Sequence, residues 1–311
     1  MGSIILGLGH HLPPEVERLG VRRPIALEAV GPSTLAVPAA ADAVRQAGLT
    51  PETVDFIVFA TMTPDVTFPG SGCFFQSAFG CGTIGALDIR AQCAGFVFAL
   101  AIADQFLRAG MYRHILVAGA EVHSSGLDYS EAGAAIARRY GDGAGVAVLG
   151  SAEGATGVLG LAMHSDGRQH QRFWCEYPAS RQHPVRMTAE DFRQGRHFPS
   201  IDTDAVRRFG EEALPAVIGE AIEKAGIQPD QVDHYIIGHL MPEVAESVGT
   251  RLGLPARRLS IPAARYGHLT AAALPVALSA AAASGSVGPG ATVCLAAAGA
   301  GFTWGAAVVR L

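Results

Sequence analysis

The chain has 311 residues, of which 49% are hydrophobic and only 16% charged, and its 38 glycines favour buried sheets and tight turns over disorder. The net charge is −5 and no stretch concentrates lysine and arginine, which argues against nucleic acid or a membrane surface as a partner. Five cysteines without C-x-x-C spacing predict free thiols and no metal site. One large domain or two packed halves fit this length.

The first segment, MGSIILGLGHHLPP, has no basic lead and no long apolar run, so it predicts a first strand and not a signal peptide. The most apolar segment, residues 269–285, is rich in alanine and contains Pro275, which indicates a buried helix and not a membrane span. We therefore expect a cytoplasmic protein without a membrane segment.

An internal repeat organises the chain. AGLTPETVDFIVFATMTPD (47–65) is echoed 178 residues later by AGIQPDQVDHYIIGHLMPE (225–243). In both copies a helix is predicted to end at a glycine, Gly48 or Gly226, and a strand follows Val-Asp. The chain is thus built from two similar halves, which we place at residues 1–165 and 166–311.

The repeat continues through two apolar helices. RAQCAGFVFALAIADQFLRAG (90–110) aligns with RYGHLTAAALPVALSAAAASG (265–285) at an offset of 175, which makes Cys93 and His268 equivalent. Each half then carries a strand, a Gly-rich turn and a last strand, so each reads β–α–β–α–β–β, with mixed sheets covered by helices. Packing about a pseudo-twofold axis brings Cys93 near His268. Residues 163–200 lose this periodicity and predict a long loop that forms a wall or lid.

Cys93 is a candidate nucleophile because of its place and its partner. A helix N-terminus favours thiolate over thiol, and a histidine at the same place can take the thiol proton. The motif alone also fits an ordinary core cysteine, since free cysteine is among the most buried residue types. The repeat-derived pairing with His268 decides for the nucleophile.

Four segments resemble the β-ketoacyl-acyl-carrier-protein synthase III family of the thiolase superfamily: ALDIRAQCAGFVFALAIADQFLRAG, TMTPDVTFPGSG, RRYGDGAGVAVL and AGAGFTWGAAVVRL. The resemblance implies a five-layered α-β-α-β-α fold in a homodimer whose sheets continue across the twofold axis, and we expect strand 114–121 at that interface. It also implies a cysteine, Cys93, that accepts an acyl group from a carrier-protein or coenzyme A thioester. Ala300 matches the residue whose backbone N–H joins that of Cys93 in an oxyanion hole. No cofactor and no metal is expected.

The sequence departs from the family at its histidine and asparagine. A gapless alignment places Gly238 where the family's histidine belongs, with His239 one residue later, and His268 replaces the asparagine. A shift of one residue at a strand end turns a side chain to the other face, so His239 reaches the site only if the loop is remodelled. The family's adenine-stacking tryptophan has no counterpart in residues 12–35, which favours a carrier-protein donor.

Three hypotheses follow. In the first, Cys93 takes an acyl group and His268 deprotonates a small hydroxyl or amine acceptor. In the second, His239 and His268 form a paired-histidine site for decarboxylative condensation, which needs oriented donors on the malonyl thioester. In the third, the chain is a non-catalytic partner subunit of a condensing enzyme. The retained Cys93 argues against the third.

Overall fold

The computed structural model describes residues 2–152 and 157–311, most of which belong to two five-stranded sheets and their helices. From edge to edge, the first sheet contains β1 (Gly2–His11), β7 (Gly143–Ala152), β6 (His114–Glu121), β4 (Phe56–Ala60) and β5 (Gly85–Ile89). The second sheet contains, in the corresponding order, β8 (Gly157–Ser165), β14 (Thr303–Arg310), β13 (Thr292–Gly299), β11 (His234–Gly238) and β12 (Leu259–Ser260). The two sheets therefore share one topology, as the repeat predicts.

Helices lie on the outer face of each sheet and between the sheets. The outer helices are α1 (Pro32–Gln46) and α2 (Ser71–Phe79) on the first sheet, and α6 (Thr203–Lys224) and α7 (Pro242–Arg251) on the second. The central helices are α3 (Gly95–Arg108) and α9 (Ala273–Ala283). Three further helices are short: α4 (Ala134–Ala137), α5 (Ala189–Arg193) and α8 (Pro262–Tyr266). The result is five layers, helix–sheet–helix–sheet–helix.

The central helices have small and apolar residues because sheets cover them on both sides. A single cluster of buried residues joins α3 and α9 to the inner faces of both sheets, and Leu100 and Leu274 in it are fully buried. This explains why the alanine-rich segment is so apolar. Within the described ranges, no helix is long and apolar enough to cross a membrane.

The structure corrects the register of the repeat at the central helices. Gly48 and Gly226, at the ends of α1 and α6, have φ of +68° and +67°, as helix-terminating glycines do. α3 and α9 begin at residues 95 and 273, again 178 apart. Each follows a 3₁₀ turn, Gln92–Ala94 or Thr270–Ala272, whose first residue has φ of +50° or +47°. The counterpart of Cys93 is therefore Ala271, and His268 lies three residues before it.

Two further expectations are changed by the sheet pairing. β8 pairs with β14 in the second sheet, so the division between the halves lies before residue 157 and not after residue 165. β6 lies between β7 and β4 and is paired on both sides, so it cannot continue the sheet into a second subunit. The expectation that strand 114–121 lies at the dimer interface is therefore wrong. The two edge strands of the first sheet are β1 and β5; β1 has several buried residues, whereas every residue of β5 is exposed or half-buried.

Two small hairpins and the long loop lie beside the main sheets. β2 (Glu15–Arg18) pairs with β3 (Val21–Pro24), and β9 (Phe173–Cys175) pairs with β10 (Pro199–Ile201). Apart from β9, β10 and α5, the segment that follows β8 forms 3₁₀ turns, bends and irregular structure. It thus forms a loop-rich wall, in agreement with its loss of periodicity.

Candidate active site

Cys93 lies where the chain enters the central layer. It is the middle residue of the 3₁₀ turn that precedes α3, and its side chain is 2% exposed. The end of β13, where the Gly-rich turn begins, packs directly on it, since a Cβ on Gly299 would overlap the Cys93 sulfur. Only glycine allows this contact, so the turn and the thiol fit each other closely.

His268 meets Cys93 from the other half of the molecule. Its Nε2 lies 3.2 Å from Cys93 Sγ, and both side chains are buried. The backbone holds His268 in place, because its N–H donates to the Arg139 carbonyl at 2.6 Å and its carbonyl accepts from the Gly141 N–H at 3.3 Å. The structure therefore brings Cys93 and His268 together, as predicted. They meet because the starts of α3 and α9 lie next to each other, and not because the two residues are equivalent in the repeat.

The pair is neutral at neutral pH. Burial, with a contribution from the Glu121 charge, raises the pKa of Cys93 to about 12, although the backbone N–H groups of Cys93 and Ala300 act against this shift. Burial, followed by the charges of His123 and His239, holds the pKa of His268 well below its usual value. The expectation that the helix start favours thiolate is thus not met in the free protein. The imidazole is thus unprotonated and is placed to accept the proton of the thiol.

Two backbone N–H groups form a polar corner beside the sulfur. Those of Cys93 and Ala300 lie close enough to Sγ to lower the pKa of the thiol. The Thr303 hydroxyl lies 3.1 Å from the Ala91 carbonyl and 2.9 Å from the Ala300 carbonyl, and so ties the Gly-rich turn to the loop before Cys93. Preorganised donors of this kind stabilise the oxyanion of a tetrahedral intermediate.

The structure does not bring the His239 ring to the thiol. The ring is 1% exposed, its Nδ1 accepts from the Met241 N–H at 3.1 Å, and its Nε2 faces Gly210 of α6. The His239 carbonyl, unlike the ring, lies near His268 and raises the pKa of its imidazole. It makes no hydrogen bond of good geometry to His268 Nδ1, which has no partner among the described residues. Gly238 instead faces the central layer, with Leu274 and Ala297 next to it. The alternation along β11 thus turns His239 outwards.

Sequence reasoning missed three polar residues that surround the pair. The Tyr140 ring lies 5.5 Å from the His268 ring and 4.6 Å from the His123 ring, measured between centroids. His123 Nε2 lies 2.7 Å from the Thr270 hydroxyl at the start of the second 3₁₀ turn. The Tyr140 hydroxyl is buried and has no hydrogen-bond partner in the part of the chain that the structure describes. Its place directly before the GDGAG turn was the available signal.

Two buried carboxylates hold the loops around the site. Asp142 accepts from the backbone N–H groups of Ala26, His123 and Ser124 and so holds the turns that contain them. Glu121 accepts from the Thr63 hydroxyl at 2.6 Å and from the Ala271 N–H at 3.3 Å. Glu121 therefore connects a loop of the first half to the start of the central helix of the second.

Two cavities share Trp174 in their walls, and the smaller of them borders the polar corner. One of about 300 Å³ is lined by Gln92, Trp174 and Ala300, and a second of about 510 Å³ is lined by Trp174, Ile136 and Ile201. Trp174 thus contributes to the walls of both cavities. The volumes are those of small-molecule sites.

Two packed halves of one topology, with a buried cysteine and histidine where their central helices begin, define a protein of the thiolase fold. Residues 87–167 match the family described as 3-oxoacyl-[acyl-carrier-protein (ACP)] synthase III, and residues 222–311 match its C-terminal part. The β-ketoacyl-[acyl-carrier-protein] synthase III of Erythrobacter litoralis is 37% identical over 300 residues, which are 95% of this chain and 89% of the relative. The chain therefore belongs to the β-ketoacyl-acyl-carrier-protein synthase III family.

Solved structures agree with this assignment. The synthase III of Thermus thermophilus is 29% identical, with a TM-score of 0.89 and 99% of each chain covered. The priming β-ketosynthase of the R1128 polyketide biosynthetic pathway is 25% identical, with a TM-score of 0.88 over 99% of this chain and 96% of its own. The fold is thus the thiolase fold, and the relatives are transferases of the condensing type.

Proposed function

We propose that this protein transfers an acyl group from a carrier-protein or coenzyme A thioester, through an acyl-enzyme on Cys93, to a hydroxyl or amine acceptor. The observation that carries the proposal is the single imidazole, His268, at 3.2 Å from the thiol, while the second histidine ring is turned away. One base, one nucleophile and one oxyanion hole suffice for acyl transfer to oxygen or nitrogen.

Loading proceeds with both groups initially neutral. Cys93 Sγ attacks the thioester carbonyl while its proton moves to His268 Nε2, and the backbone N–H groups of Cys93 and Ala300 hold the oxyanion. When the carbonyl reforms, the carbon–sulfur bond to the donor breaks. The leaving thiolate takes the proton from His268, and a free thiol departs.

Transfer repeats these steps with the acceptor. His268 Nε2 takes the proton of the acceptor hydroxyl or amine as its oxygen or nitrogen attacks the acyl carbon of the thioester on Cys93. The bond between this carbon and Sγ breaks, and the Cys93 sulfur regains its proton from His268. An ester or amide and the free enzyme result.

Decarboxylative condensation is the alternative that the family favours. It requires two donors on the malonyl thioester carbonyl to stabilise the enolate. The paired-histidine version lacks its second ring, because His239 Nδ1 is occupied by the Met241 N–H and the ring faces α6. The geometry therefore supports acyl transfer over condensation.

Intact-protein mass spectrometry with a panel of acyl thioesters tests the proposal. We expect one acyl adduct, lost in Cys93→Ala and kept in Cys73→Ala, which removes an exposed free thiol as a matched control. The acyl-enzyme should then be discharged by hydroxyl or amine acceptors, with no CO₂ released from a malonyl donor. CO₂ release with formation of a β-ketoacyl product would establish condensation, and the absence of any adduct would support a non-catalytic subunit.

We infer in addition that the protein is a homodimer formed through the β5 edge. Leu87 on this strand and Phe68 and Phe74 nearby are exposed large apolar side chains, and Phe68 is 75% exposed. An unpaired apolar edge is suited to pairing with a second copy, which would extend the sheet across a twofold axis. Leu87→Lys should shift light scattering from the dimer to the monomer mass, whereas a wild-type monomer at micromolar concentration would contradict the inference.

A further inference from the structure

A cationic cavity lies next to the backbone that carries the base. It has a volume of about 400 Å³, and Arg23, Arg138, Arg139, Leu240 and Glu243 contribute to its wall. We call it the arginine cavity. Its size is within the range of small-molecule sites, and its charge distinguishes it from the cavities that contain Trp174.

The positive charge of the arginine cavity is not balanced. Glu243 is its only acidic wall residue and lies 3.4 Å from Arg139. Arg23 and Arg138 make no ion pair within residues 2–152 and 157–311; their guanidinium groups donate only to the carbonyls of Arg22 and Ala134, at 3.0 and 3.2 Å. Two guanidinium groups on one concave wall thus have no ion-pair partner among the described residues, although the Glu15 charge acts on Arg23 from a greater distance.

Arg23 shows the cost of this arrangement most clearly. Its Nε is buried without a hydrogen-bond partner in the described part of the chain, and burial lowers the pKa of the guanidinium although Glu15 acts in the opposite direction. A buried N–H without an acceptor is costly unless a ligand supplies one. The free protein therefore holds a donor that a bound anion would satisfy.

The arginine cavity is on the His268 side of the pair. The Arg139 carbonyl accepts from the His268 N–H, and the Arg23 stem lies against Gly267, where a Cβ would be 2.7 Å from Arg23 Cδ. The oxyanion hole borders a different cavity, the one of about 300 Å³ that contains Gln92, Trp174 and Ala300. The base and the oxyanion hole are thus each next to a separate cavity.

We propose that the arginine cavity binds a carboxylate of the acceptor, so that the acceptor is a hydroxy acid or an amino acid whose hydroxyl or amine reaches His268. This rests on the proposed acyl transfer and names the class of its second substrate. Guanidinium groups bind the planar carboxylate through paired hydrogen bonds, which gives orientation as well as affinity. The guanidinium groups of Arg23 and Arg138, which make no ion pair within the described residues, supply the donors.

The test uses a matched pair of acceptors on the acyl-enzyme. Wild-type protein is loaded with an acetyl N-acetylcysteamine thioester, freed of donor, and discharged with 6-hydroxyhexanoate or 6-hydroxyhexanamide, which differ only in the anionic group. We expect kcat/KM at least 10-fold higher for the acid. Arg23→Gln and Arg138→Gln should each raise KM for the acid by about 10-fold and leave its kcat and the rates with the amide unchanged.

Arg22→Gln is the matched control, because Arg22 is the exposed neighbour of Arg23 on β3, pairs with Glu15 at 3.4 Å and does not line the cavity. Equal wild-type rates with acid and amide would overturn the proposal. The proposal would also be overturned if the variants lowered the transfer rates to both acceptors equally. It would be overturned as well if they slowed only the loading of Cys93 by phosphopantetheine donors, since the cavity would then bind the donor's phosphate.

A binding measurement separates this proposal from the proposed function. Calorimetric titration of 6-hydroxyhexanoate into unacylated protein should give a Kd that rises about 10-fold in Arg138→Gln and does not change in Arg22→Gln. No acyl-enzyme together with this pattern would refute acyl transfer and leave the carboxylate site standing. An acyl-enzyme without acid binding would refute the site alone.

Discussion

Replacing Tyr140 by phenylalanine should stabilise the free protein. The Tyr140 side chain is 3% exposed, and its hydroxyl has no partner within the described ranges. Burial, together with the nearby Cys93 and Glu121, raises the pKa of Tyr140, so the hydroxyl keeps its proton and remains an unused donor. An unsatisfied buried hydroxyl costs about 1–3 kcal/mol. Phenylalanine removes this cost and keeps the ring contacts with His123 and His268.

We therefore expect the free energy of unfolding to rise by about 1 kcal/mol and Tm by about 2 °C. Tyr235→Phe is the matched control, because this tyrosine is 2% exposed but donates to the Pro229 carbonyl at 3.0 Å. Its loss of a hydrogen bond should lower the free energy of unfolding by about 1 kcal/mol. The two variants thus have opposite expected signs.

Differential scanning calorimetry and urea titration of the three proteins provide the measurement. A Tm of Tyr140→Phe below that of the wild type would refute the reasoning, because it would show that the hydroxyl has a partner in the folded protein. Turnover supplies a second readout. If the free hydroxyl is kept for substrate, Tyr140→Phe should lose about 10-fold in kcat/KM, equivalent to about 1.4 kcal/mol, while Tyr235→Phe should not.

Three other variants and conditions give further tests. His268→Ala should slow loading and transfer by about 10²–10⁴-fold, because the thiol is not ionised without its base, and activity retained in His268→Asn would place the base elsewhere. Gly210→Ala should lower the free energy of unfolding in urea by about 1–3 kcal/mol, since its Cβ would lie 2.6 Å from His239 Nε2, whereas Gly219→Ala on the same helix meets no atom within 4 Å and should not. As the pH falls below 6.5 towards 4, the free energy of unfolding should decrease by about 1.4 kcal/mol per pH unit for each histidine that burial keeps neutral. Glu121, whose pKa is raised to about 7, should offset part of this decrease, because it takes up a proton more readily in the folded protein. A urea midpoint that does not change with pH would contradict this. These histidines are His123, His239 and His268.

The sequence predicted the order of the secondary-structure elements and that Cys93 and His268 lie close together. Both halves were visible because Gly48 and Gly226 end helices at the same place in each copy, and glycine in a left-handed conformation leaves a strong local signal. Cys93 and His268 were paired correctly although their alignment was wrong by three residues. Both precede central helices whose starts meet, so a small error in register did not separate them.

The surroundings of the pair could not be predicted in the same way. Strand order decides which strand has a free edge, and the apolar sequence of β6 fits a central strand as well as an interface strand. Whether the Tyr140 hydroxyl finds a hydrogen-bond partner depends on atoms from several distant segments of the chain. A local sequence pattern cannot predict this. The side chain of His239 was expected to turn away by the alternation of a strand, and its ring does face α6.

The constant offset of 178 between the halves shows how one cysteine–histidine pair fits a chain of two similar halves. At this offset the first-half counterpart of His268 is Arg90, and the second-half counterpart of Cys93 is Ala271. A symmetric assembly of two identical half-length chains with both a cysteine and a histidine would have contained two such pairs about its axis. In the present chain, Arg90 lines the cavity beside Ala300, and the Ala271 N–H is held by Glu121. The two positions that would hold a second pair thus contribute to the wall and the framework of the first.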